Sequence, residues 1–208
     1  MLKDLITIAA TYLKLDAVND YLALLEEQSL SQTQANQDDV LIDQEPENET
    51  AVPQEIKLLT NLANLVLRQI VREYMPLFVE EELISNENCQ IEYSKFKNSV
   101  NQVVGVSFKD HISSTFRVFP EYIKVGYPNE KYIVLYSYFP PELKNLTDNV
   151  ICPMGLSHEV IALGICAEYC LVNSLFDEAD MWETKFANSL SNASRRLKER
   201  KLPSRGWI

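Results

Sequence analysis

Four cysteines and two histidines are the residues of this chain whose types could bind a metal or act as nucleophiles: Cys89, Cys152, Cys166 and Cys170, with His111 and His158. The run Cys152, His158, Cys166, Cys170 has the composition of a zinc set, since thiolate sulfur and imidazole nitrogen are the preferred ligands of that ion. The spacing argues against it. On one continuous helix His158 and Cys166 stand about 12 Å apart at a rise of 1.5 Å per residue, whereas zinc holds its ligands at about 2 Å. Cys166 and Cys170 do share a helical face, where cysteine acts as a small buried apolar residue. His158 and Glu159 do not open a metalloprotease motif, because Ala162 stands where the second histidine is needed.

The carboxylates fare similarly. Glu80, Glu81 and Glu82 follow Pro76, and Asp177, Glu178 and Asp180 stand where a helix should begin. There they complement the helix dipole and cap free amides. Glu73 and Glu168 lie within or beside apolar helical stripes, where a buried carboxylate needs a partner. Arg68 or Arg72 could supply one, as a structural ion pair. The five glycines form no phosphate-cradling GxGxxG or GxxxxGK[ST] loop and no GxSxG elbow. The expectation is a protein with no catalytic, cofactor-binding or metal-binding residues, and not an enzyme.

The elements that would position these residues are read from periodicity. Leu2, Leu5, Ile6, Ala9, Ala10 and Leu13 recur at helical intervals, as do Val18, Leu22 and Leu25, with Asp16 marking a break. Residues 1–28 are therefore one or two short helices. Residues 29–53 turn to Gln, Asn, Asp, Glu, Ser and Thr, an acidic polar connection too poor in apolar surface to offset the entropy of ordering. From Pro53 a stripe of Ile56, Leu59, Leu62, Ala63, Val66, Leu67, Ile70 and Val71 predicts a helix down to Tyr74, which Pro76 ends.

Between about 102 and 141 β-branched and aromatic residues dominate, and FRVFPEYIKVGYPNEKYIVLYSYFPP reads as a hairpin around a Tyr-Pro-Asn-Glu turn. Residues near Gly105 could add a third strand. Tyr132, Tyr136 and Tyr138 alternate with Ile133, Leu135 and Ser137, so that one face packs on helices and the other can meet a neighbouring subunit. Two helices follow from Ser157. The expected fold is mainly α, a helical bundle with an inserted β-hairpin or small antiparallel sheet, its core at 54–200, and an extended C-terminal tail at 201–208.

Charge narrows the function further. A formal net charge of −11 opposes affinity for a nucleic-acid backbone. No apolar run reaches the roughly 20 residues of a membrane span. The N-terminus lacks the pattern of a signal peptide, which leaves a soluble chain in a reducing cytoplasm. The charge is uneven. Arg195, Arg196, Lys198, Arg200, Lys201 and Arg205 crowd one end against Glu199 alone. Leu202, Pro203, Trp207 and Ile208 give that end apolar anchors, and aromatic and arginine residues are favoured at interface hot spots. Arg195, Arg196, Arg200, Lys201, Leu202, Pro203, Arg205, Trp207 and Ile208 are thus the expected partner-binding residues.

Four pieces in order, LLTNLANLVLRQIVREYMPLF, YIVLYSYFPPEL, LGICAEYCLVNSLFDEADMWETKFANSL and KLPSRGWI, resemble the head-to-tail connector proteins of tailed bacteriophages over residues 54–208. The resemblance implies a mainly helical ring subunit, commonly in about twelve copies, beneath the capsid portal. It implies as partners the portal protein, a tail or second neck protein and further copies of the chain, within a virion neck assembled in the host cytoplasm. In such proteins the C-terminal segment commonly docks on the portal. A ring subunit must also bury lateral surfaces, for which the aromatic hairpin and the stripe of Trp182 and Phe186 are the candidates. An acidic lumen would let DNA pass without specific binding. Another tail-side adaptor or a soluble helical interaction module is the alternative, ahead of a metal-binding or enzymatic domain centred on Cys166, Cys170, His158 or Glu168.

Overall fold

The computed structural model describes residues 1–34, 51–108 and 112–197. The chain divides into two compact units. The first comprises 1–66, 143–150 and 155–208, and the second comprises 67–142 and 151–154.

The first unit is helical. Helix α1 (Leu2–Leu13) buries Leu2, Leu5, Ile6, Ala9 and Ala10 on one face. It stops at Lys14, which takes the left-handed conformation (φ 57°) and returns its N–H to the Ala10 and Thr11 carbonyls, so the break precedes Asp16 as the sequence suggests. Helix α2 (Asp16–Gln34) follows, and α3 (Ala51–Gln69) buries Ile56, Leu59, Leu62, Ala63, Val66 and Leu67. Helix α4 (His158–Val172) is apolar nearly all round and packs against α1 and α5 (Phe176–Leu197), as expected of a helix enclosed by others. Gly164 makes that packing close: a Cβ there would lie 2.7 Å from Val66 Cγ1 and 3.0 Å from Phe186 Cε2. The segment 143–150 is tied down by polar contacts. Asn64 accepts from the Leu143 amide (2.8 Å) and donates to the Leu143 carbonyl (2.9 Å). The first-turn amides of Leu2 and Lys3, which no helical carbonyl can satisfy, donate to Asp148 O and Leu146 O at 2.9 and 3.0 Å.

The second unit opens with a π-helical turn, Ile70–Tyr74, closed by the Met75 amide on the Ile70 carbonyl at 2.9 Å. Pro76 cannot continue it, and the chain turns to strand. Strands β1 (Leu77–Ile84), β3 (Val100–Phe108), β4 (Ile112–Ser113) and β7 (Lys131–Tyr138) form an antiparallel sheet in the order β1-β7-β3-β4. Strands β2 (Gln90–Glu92), β5 (Arg117–Val118) and β6 (Tyr122–Lys124) form a second sheet in the order β2-β6-β5. Both sheets contribute to one core, which includes Leu83, Ile91, Val106, Ile123, Val134, Tyr132 and Tyr136.

A mainly α fold is therefore incorrect. The protein is 51% helical and 20% strand, a mixed α/β fold with two small antiparallel sheets. Two features account for the difference. Strand structure begins at Leu77, because LFVEEELI alternates in depth despite its three glutamates: Leu83 is buried and Val79 packs on the core, while Phe78, Glu80, Glu82 and Ile84 point out. The expected hairpin also does not form. Strands β6 and β7 belong to different sheets, and β7 pairs with β1 and β3, whose sequence lies well upstream.

Candidate interaction surfaces

Two of the residues singled out for chemistry, Cys166 and Cys170, serve as packing. Cys166 and Cys170 are buried in α4, and the Cys166 thiol points at the Ala9 carbonyl at 3.8 Å. Burial is the main cause that pushes the Cys166 thiol up to about 12, with the Cys170 thiol beside it adding to the effect. Such a thiol is held in its neutral, unreactive form at neutral pH. Among the described residues, no group of three or more His, Cys, Asp or Glu is placed to hold a metal ion. His111 lies outside the described residues. Glu73 stands exposed on the π-helical turn and so needs no arginine partner. Asp177 and Glu178 occupy the first turn of α5, where their charge complements the dipole.

Tyr132 and Tyr136 face inward. They are 1% and 0% exposed, so these rings have no surface to offer a neighbouring subunit, whereas Tyr138 is half-buried at the margin of the same core. Their hydroxyls are also engaged. Tyr136 donates to Glu81 Oε2 at 2.7 Å, and its ring meets Phe96 edge-on at 4.8 Å. Tyr132 Oη accepts from the Tyr127 amide at 2.9 Å. Burial, then the hydrogen bond to Glu81, raises the Tyr136 phenol above its ordinary value. Glu81 accepts from the Lys97 amide as well, at 3.2 Å, which is how a carboxylate is accommodated on the inward side of β1. Phe186 is buried too, and Trp182 stacks on Tyr12 at 5.7 Å with Lys185 Nζ 4.4 Å from its ring centroid, so this stripe also serves the helical unit's own packing.

Of the expected docking residues, Arg195 is exposed on α5, and the side chain of Arg196 is not described. Arg200, Lys201, Leu202, Pro203, Arg205, Trp207 and Ile208 lie outside the described residues.

One run of exposed apolar side chains lies at and beyond the turn between α4 and α5. Leu171, Val172, Leu175, Phe176 and Met181 are all exposed, Val172 at 56% and Phe176 at 67%. The turn is a closed, hydrogen-bonded cap. Ser174 adopts φ 60°, its amide donates to Leu171 O at 3.1 Å, and the Leu175 amide donates to Cys170 O at 2.8 Å. That pair of bonds is the Schellman arrangement, which satisfies helix-end carbonyls and fixes the direction of the next residues. The Asn173 side chain adds a bond to Tyr169 O at 2.9 Å. The Tyr169 hydroxyl donates to Glu55, fastening the last turns of α4 to the start of α3. Burial, then that hydrogen bond, pushes the Tyr169 phenol up to about 12. The outcome is a hydrogen-bonded apolar knuckle bordered by the exposed acids Asp177, Glu178 and Asp180.

Sequence periodicity did not reveal this knuckle. CLVNSLF reads as unbroken apolar helix, and only the polar pair Asn173-Ser174 hints at a cap. The chain matches no protein-family model and no curated protein.

Proposed function

We propose that the chain is a structural subunit of a head-to-tail connector, a ring beneath the capsid portal that joins it to a tail or second neck protein. It acts in the virion neck, assembled in the host cytoplasm, and carries no catalytic residues. The observation that carries this reading is the α4–α5 knuckle. Four exposed apolar side chains at a hydrogen-bonded turn, Leu171, Val172, Leu175 and Phe176, are costly to leave in water, and exposed apolar surface of this kind marks protein contacts. A turn held by its own hydrogen bonds also has less conformational freedom to lose on docking. The resemblance over residues 54–208 supplies the kind of assembly, and the net charge of −11 suits a lumen through which DNA passes without specific binding.

The test is to mix the full chain with a phage portal protein and determine mass and symmetry by native mass spectrometry and electron microscopy. Rings of about twelve subunits are expected. They should be lost in the double variant Leu175→Asp, Phe176→Asp, while its circular dichroism stays that of the parent. A chain that remains monomeric beside excess portal at high concentration would overturn the reading.

A further inference from the structure

We infer that the outer edge of β1 is a docking site for an extended basic segment of another protein, which joins the sheet as a further antiparallel strand. The site belongs to the sheet unit and does not depend on the connector reading.

The backbone defines the edge. β1 pairs with β7 over its full eight residues, from Leu77 opposite Tyr138 to Ile84 opposite Lys131. The same register continues to Ser85, whose amide donates to Glu130 O at 3.1 Å. In an antiparallel ladder, alternate residues point both backbone groups at one neighbour, so Leu77, Val79, Glu81, Leu83 and Ser85 face β7. The Phe139 amide, which donates to Ser99 O at 3.0 Å on the β3 side, fits the same alternation along β7. Phe78, Glu80, Glu82 and Ile84 therefore turn their N–H and C=O groups away from β7. Among the described residues β1 has no second strand partner, and only Lys95 reaches these groups, its Nζ lying 3.5 Å from Ile84 O. Proteins ordinarily guard such an edge with a bulge, a proline, a short strand, a cover or charge. β3 carries two register shifts and is met by β4, whereas β1 has no shift and no internal proline. Charge is its guard.

The side chains choose the occupant. Successive residues of a strand point to opposite faces, so Phe78, Glu80, Glu82 and Ile84 share one face, and all four are exposed. Opposite the two acids on β7 stand Leu135 and Ile133, and among the described residues no ion pair engages either carboxylate. Glu81, on the other face, is already held by the Tyr136 hydroxyl and the Lys97 amide. A strand added here meets two carboxylates between two apolar groups. Its complement carries apolar, basic, basic and apolar side chains at alternate positions, because opposite charges and apolar pairs stabilise neighbouring strands and like charges do not. A second copy lacks that pattern: another β1 laid antiparallel with the longest overlap sets Glu80 against Glu80 or Glu82.

The probe is the end-blocked peptide VTKTKTV, titrated into the full chain. Hydrogen exchange followed by NMR should find the amides of Phe78, Glu80 and Glu82 fast in the chain alone and at least about tenfold slower with peptide bound. Those of Val79, Glu81 and Leu83, already bonded to β7, should be slow in both. Affinity should fall about tenfold in the variant Glu80→Lys, Glu82→Lys. N-methylating the two lysine amides, which face β1 in the added strand, should abolish binding, and N-methylating the threonine amides should not. A peptide that does not bind, or that binds equally well with its lysine amides methylated, would overturn the inference, as would affinity unchanged by the charge reversal. Slow exchange at Phe78, Glu80 and Glu82 in the chain alone would overturn it too, with a second copy on the edge if dilution restores fast exchange and a segment of the same chain if it does not.

Discussion

In the sheet unit Tyr132 and Tyr136 point inward, enclosed and with their hydroxyls engaged, while in the helical unit the α4–α5 turn holds Leu175 and Phe176 out in water. Both stretches look adhesive in the sequence. The difference lies in what the backbone provides nearby. The tyrosines sit on β7, the central strand between β1 and β3, and find partners on both sides. The leucine and phenylalanine sit at the hydrogen-bonded cap of α4, where both side chains are exposed. The rings of β7 are therefore enclosed, whereas the apolar side chains of the α4–α5 turn stay exposed.

This contrast is open to direct tests, the largest effect first. Tyr136→Ala should destabilise the sheet unit by about 3–5 kcal/mol, since it empties a core site and strips Glu81 of its donor; thermal or urea unfolding measures it. The double variant Leu175→Asp, Phe176→Asp changes exposed positions, so it should cost under about 0.5 kcal/mol per site while abolishing assembly. A loss of several kcal/mol there would show the knuckle to be core. Gly164→Ala should cost about 1–3 kcal/mol by overpacking, because the added methyl meets Val66 and Phe186 at once. Ser174→Gly removes the strain of a left-handed non-glycine residue and should raise stability by up to about 1 kcal/mol.

Alkaline pH probes the helical unit separately. The Cys166 thiol rises from 9.0 to about 12 and the Tyr169 phenol from 10.0 to about 12 on folding. In both the neutral form is favoured by the folded state. Their contribution to stability is thus fully present below about pH 9 and is lost as pH climbs toward 12. Cys166→Ala should flatten part of that decline, followed by denaturant midpoints across the interval, and an unchanged slope would contradict the burial argument.

Much of the helical unit was legible because its signals are local. Asp16 marks a recap, Pro76 stops a helix whose apolar stripe runs to Val71, and Asp177 and Glu178 announce a helix start. The sheet unit was not, for two physical reasons. Three successive glutamates hide the period-2 pattern of β1, since Glu81 is inward only by virtue of the Tyr136 hydroxyl and the Lys97 amide. Strand pairing is a long-range choice, so adjacent strand signals at β6 and β7 carried no information that the two belong to different sheets. The knuckle is not legible in the sequence because apolar periodicity identifies which residues can be buried, and it does not identify which of them the turn leaves outside.

The central claim is that this chain assembles through the α4–α5 knuckle into a connector ring. The most direct measurement is native mass spectrometry of the parent chain and of the Leu175→Asp, Phe176→Asp variant, each with portal protein. The account predicts a closed ring for the parent and a folded monomer for the variant. Equal assembly by both, or a monomer in both, would contradict it.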